Sequence, residues 1–120
     1  MKLTFNQWVN KLSEKPNSKL EYQVLVFEEI VMQLVQWWRD KNPDKDFEKD
    51  NDFSILKVLK LHFFVCAVDT KKDKEAPLLD IFQFYAMPYG HVCKDIYDYI
   101  KKNKGEFSKF IISNKKLVLK

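Results

Sequence analysis

At 120 residues, with 46% hydrophobic and 15% aromatic side chains, the chain has the length of one domain and can bury a core without staples. Ten Phe, five Tyr and three Trp exclude disorder along the whole length, and two glycines with four prolines argue against an all-β fold of many tight turns. The net charge of +4 belongs to one end: residues 101–120 hold seven lysines and a single acid, Glu106, while residues 1–50 and 51–100 are each net −1.

Thr4 and Gln7 have capping-box spacing, and Phe5, Trp8, Val9 and Leu12 follow at helical intervals. This predicts a short first helix, closed by residues 13–17 around Pro16. Ser18 and Glu21 repeat the capping spacing and open a longer helix to about Arg39. Leu20, Val24, Phe27, Val31, Leu34 and Trp38 form its stripe, and further apolar residues widen that stripe around most of the circumference. A helix apolar nearly all round is central or touches a partner. Residues 41–50 read as a charged loop around Pro43.

A third helix is predicted from Asp52, a good N-cap, to about Val68, with Phe53, Leu56, Leu59, Phe63, Cys66 and Ala67 on its core side. Over 78–86 a short helix is predicted from the spacing of Leu79, Phe82 and Tyr85/Ala86, with a strand as the alternative, since Phe82, Phe84 and Ala86 also alternate. Met87-Pro88-Tyr89-Gly90 then sets a rigid bend, because Pro88 fixes its own φ and Gly90 accepts angles that a Cβ resists. Asp95, Ile96, Tyr97, Tyr99 and Ile100 predict a helix to about Asn103, stopped by Gly105. Phe110-Ile111-Ile112 and Leu117-Val118-Leu119 flank a four-residue turn, predicting a terminal hairpin. The fold expected is mainly α: one compact domain over 1–120, of about five helices with a short C-terminal β-hairpin.

Motifs for chemistry are weak. His62 and Cys66 lie one helical turn apart, and His91 and Cys93 lie in the bend, but neither pair has the spacing of a zinc module. No Gly-rich phosphate loop and no nucleophile–base constellation is present. The expectation is therefore no metal, no cofactor and no enzyme. Trp37 and Trp38 point about 100° apart on a helix, so both cannot easily reach one core, and one is a candidate for a partner interface. The lysine-rich end admits nucleic acid as a partner. A single arginine, Arg39, argues against base reading, where bidentate arginine is the commonest contact. Met1 to Asn6 turns polar at once and no apolar run has the length of a membrane span, so a cytoplasmic protein is expected.

The order of features over residues 52–100 resembles the Panacea domain, the SocA-like antitoxin family. Leu59-Lys60-Leu61-His62-Phe63-Phe64 matches its lysine-leucine, aromatic-rich helix. Pro77-Leu78-Leu79-Asp80 matches its proline-leucine and acidic stretch, and Phe84-Tyr85-Ala86 its aromatic segment. Tyr89-Gly90-His91-Val92 stands at its Tyr-Gly-Pro-Val loop, with His91 in place of the proline, and Ile96-Tyr97 at its Val/Ile-Tyr pair. The resemblance implies a mostly helical bacterial or prophage protein that binds and neutralises a toxin encoded beside it. Tyr89, Gly90, His91 and Tyr97 around the bend are the candidate contacts, with Trp37 and Trp38 behind them. The alternatives are a phage-encoded inhibitor of a host or defence protein and a nucleic-acid-binding regulator that uses the lysine-rich end.

Overall fold

The computed structural model describes residues 19–72, 81–88 and 90–120. The helix expected over 4–12 lies outside them. Helix α1 spans Lys19–Lys41, with Glu21 in its first turn and Arg39 and Lys41 in its last, complementing the helix dipole. It buries Val26, Phe27, Ile30, Val31, Val35 and Trp38, and two polar side chains, Gln23 and Glu28. Leu20, placed on the expected core stripe, is exposed.

The expected loop over 41–50 contains a helical turn, α2, at Phe47–Asp50. Asp46 caps it, its Oδ1 accepting from the Glu48 amide at 3.1 Å. Phe47 explains the turn: it is buried edge-on between Trp38 (5.3 Å) and Phe53 (5.4 Å). One aromatic anchor organises an otherwise charged segment.

Helix α3 spans Ile55–Lys72. Its cap is Ser54, whose Oγ accepts from the Lys57 amide at 3.2 Å; Asp52, the expected cap, pairs instead with Lys57 Nζ at 2.6 Å. Val58, Leu59, His62 and Cys66 are buried, while Leu56 is exposed. The buried stripe is thus turned by about 80° from the expected one, with Val58 and His62 facing the core and Leu56 turned out of it.

The helix expected over 78–86 gives way to a strand at 84–87, because this segment pairs with the chain beyond the Pro88 turn. β1 (Phe84–Met87) and β2 (Gly90–Cys93) form an antiparallel hairpin in register Phe84↔Cys93 and Met87↔Gly90, with Pro88 in the turn and Gly90 at φ +125°. Helix α4 follows at Lys94–Lys102, and β3 (Phe110–Ile112) pairs antiparallel with β4 (Leu117–Leu119), as the sequence predicts. The described residues hold four helices and two two-stranded sheets, a mainly helical chain with more β structure than expected. Gly105, at φ +77°, lies so close beneath β3 that a Cβ there would collide with the Ile112 carbonyl oxygen.

Asn51 is 6% exposed and fastens β4 to the helices. Its Nδ2 donates to the carbonyls of Phe47 (2.6 Å) and Leu117 (3.1 Å), and its Oδ1 accepts from the amides of Phe53 and Leu117, each at 3.1 Å. The side chain therefore acts as a short extra strand along Leu117. Asn51→Ala leaves several buried backbone groups unpaired and is expected to cost about 2–4 kcal/mol, read as a lower urea midpoint with an unchanged slope.

Candidate functional site

The adjacent tryptophans part as the helix geometry requires. Trp38 turns inward, 9% exposed against Phe47, and is a core residue unavailable to a partner. Trp37 turns outward and is 52% exposed. It stands at one end of a groove of about 520 Å³ between α1 and α3. Ile30, Leu34 and Trp37 form one wall, and Leu61, Phe64 and Val65 form the other. The spacings 30, 34, 37 and 61, 64, 65 are those of single helix faces, which is why two apolar walls meet. Among the described residues the lining has no ionisable side chain; its polar member, Gln33, donates to Glu29 Oε1 at 3.3 Å.

Phe64, at 62%, is the most exposed large apolar side chain described, and sequence reasoning passed over it. The signal was present. Phe63 and Phe64 are adjacent in a helix, so the argument that separates the two tryptophans separates them too. Phe63 turns to the β1–β2 hairpin and Phe64 to the groove.

The other candidates do not gather into one site. His91 is exposed but stacks on Phe63, with centroids 4.8 Å apart and planes 15° from parallel, so it helps seat the hairpin on α3. Gly90 lies half-buried against the Lys60 stem, whose Cε would be 3.7 Å from an added Cβ. Tyr97 is on α4, with Lys101 Nζ 4.8 Å above its ring, and faces a different hollow. Tyr89 lies outside the described residues.

Among the described residues no three His, Cys, Asp or Glu side chains converge on a point. His62 is fully buried and meets the rings of Phe27 (5.0 Å), Phe82 (4.4 Å) and Phe84 (5.2 Å). Neither of its ring nitrogens has a hydrogen-bond partner among the described residues. Burial among aromatic rings lowers its pKa to about 3, so the imidazole is neutral. Cys66 and Cys93 are buried thiols, and desolvation pushes the Cys93 pKa up, away from the reactive thiolate.

Compared with known protein families, curated proteins and solved structures, the chain matches none. No described helix is long and apolar enough to cross a membrane.

The His62 site has a pH signature. The unfolded chain binds a proton near pH 6.5 and the folded chain only near pH 3, so the unfolded state holds more protons between those values. The stability contributed by neutral His62 is complete above about pH 6.5 and is lost as pH falls toward 3. The loss over that interval is about 5 kcal/mol. Urea titrations from pH 7 to pH 4 are expected to show this decline. His62→Leu should flatten it, and an unchanged pH slope in that variant would show that other groups carry the acid sensitivity.

Proposed function

We propose that this chain is an antitoxin-like binding protein that neutralises a cognate toxin in the cytoplasm by direct contact. The observation that carries the reading is the groove between α1 and α3. A water-facing tryptophan and a water-facing phenylalanine flank it, and both would be unfavourable in a chain with no partner for that face. Tryptophan is the residue type most enriched among binding hot spots. The groove suits an apolar helix face of the partner, laid in with anchors every three or four residues. The Panacea-like order of segments over residues 52–100 supports the same reading and supplies its biological direction. The resemblance puts the contacts at the bend; the exposure of Trp37 and Phe64 on the groove supports them as the main contact, with His91 in a supporting role.

The test is co-expression with the adjacent open reading frame. The neighbour alone is expected to arrest growth, and this chain to restore growth and to co-purify with it. Trp37→Ala combined with Phe64→Ala should weaken the complex at least about tenfold and abolish rescue. The same double variant should barely move the thermal midpoint, since both rings are more than half exposed. A harmless neighbour would sink the toxin assignment, and an unaltered complex with the double variant would sink the groove.

A further inference from the structure

A second hollow lies at the far end of α4, in a setting unlike the first. It measures about 440 Å³ and is enclosed by the start of α3, the end of α4 and β3. Its floor is apolar: Ile100 is buried, Ile55 and Tyr97 are half-buried, and Ile111 is 38% exposed. Its rim is basic, with Lys101 and Lys104, and among the described residues no acidic side chain lines it. The nearest acid in sequence, Glu106, lies 3.5 Å from Lys120 Nζ. Other lysines of this end are drawn away from the hollow: Lys109 reaches Glu29 at 4.0 Å, and Lys116 Nζ donates to the Glu48 carbonyl at 3.0 Å.

The backbone adds an independent observation. Helix α4 closes with the Gly105 amide donating to the Ile100 carbonyl (2.8 Å) and the Lys104 amide to the Lys101 carbonyl (3.4 Å). That is a Schellman closure, and its left-handed position is ordinarily glycine or asparagine. Here it is Lys104, at φ 54°, the single non-glycine residue with positive φ among those described. A residue with a Cβ is disfavoured in this conformation, and such strain gathers at functional positions. Stability alone would favour glycine or asparagine at 104; what lysine adds is a cation at the rim of an apolar hollow.

We propose that this hollow docks an acidic segment of a protein partner, with an apolar side chain entering between Ile55, Tyr97 and Ile111 and flanking carboxylates meeting Lys101 and Lys104. A peptide fits better than a nucleic acid. The Tyr97 ring, the one aromatic surface in the hollow, already carries the Lys101 ammonium over its face, so it offers no free platform for a base. The hollow also lacks arginine, the preferred phosphate ligand. The inference rests on the reading of the chain as a protein-binding module, but on neither the toxin nor the groove.

The experiment uses the full chain and a labelled short peptide with a central Leu-Phe pair between Asp and Glu residues. Binding is followed by fluorescence anisotropy and by amide shifts. The expected result is saturable binding that weakens with salt and shifts the amides of Ile55, Tyr97 and Ile111. Lys104→Asn should weaken it about fivefold while holding or raising the thermal midpoint. Trp37→Ala with Phe64→Ala should bind the peptide as the wild type does. Three results overturn the proposal: unaltered affinity in Lys104→Asn, equal affinity for a peptide with serine in place of Leu-Phe, or a single-stranded oligonucleotide displacing the peptide at lower concentration. If the neighbouring frame proves harmless while the peptide maps to this hollow, only the toxin assignment falls.

Discussion

Buried polar side chains on the helices hold this fold together by gripping backbone that lacks a full sheet. A two-stranded hairpin is marginal by itself in water, and the described residues hold two of them. Gln23 on α1 donates from Nε2 to the Ile81 carbonyl at 2.8 Å and to Asp95 Oδ2 at 3.3 Å, tying down both ends of the segment that contains β1 and β2. Five residues further along α1, Glu28 accepts from the Ser108 amide at 2.8 Å and from its hydroxyl at 2.8 and 2.9 Å, fixing the loop into β3. Asn51 does the same for β4. Each contact joins residues far apart in sequence, and each would be costly to leave half-made in a dry interior. The apolar core supplies the driving force, and these side chains decide where the hairpins sit on it.

This division explains which parts of the fold were legible in the sequence. The long helix, the helix before Gly105 and the terminal hairpin follow from periodicity and turn chemistry, which are local. The segment at 84–87 is a strand where a helix is expected, because both spacings fit so short a stretch. The choice came from pairing with β2 across the Pro88 turn, a contact that no window on one strand contains. The α2 turn was hidden for a similar reason. Its charged composition reads as a loop, and only the burial of Phe47 between Trp38 and Phe53 makes it helical. On α3 the phase was misjudged because a histidine was not expected in the core. The partners that make the site tolerable, Phe27, Phe82 and Phe84, come from elements up to 35 residues away.

The candidate surface was half legible for the same physical reason. Adjacent aromatics on a helix must diverge, so the sequence announces that one of each pair faces outward without saying which. Trp38 goes in because Phe47 meets it, and Phe63 goes to the hairpin because His91 and Phe84 meet it. Trp37 and Phe64 are the remainders, and the packing of α1 on α3 brings the two remainders to one groove. The bend residues looked like recognition elements because Pro88 and Gly90 make the chain rigid there. In the structure that rigidity serves the β1–β2 hairpin, whose strand β2 lies on α3.

Helix α3 ties these features together, since almost every face of it is apolar and each face has a different neighbour. Val58, Leu59, His62 and Cys66 face the core, Phe63 meets the hairpin, Leu61, Phe64 and Val65 line the groove, and Ile55 opens onto the basic hollow. Ile55 and Phe64 are nine positions apart on this helix, which is about half a turn in direction and roughly 13 Å along the axis. The groove and the hollow therefore look to opposite sides of α3, and one helix of a partner cannot lie in both. A partner held in the groove must reach around the domain to touch the hollow, or leave it open to a second acidic segment. The two surfaces differ in the same sense chemically: among the described residues the groove lining has no charge, so the contact proposed there would rest on burial, whereas the contact proposed at the hollow would add lysines whose attraction extends into solvent and fades with salt. Separate placement and separate physics make the two proposed contacts separable by mutation.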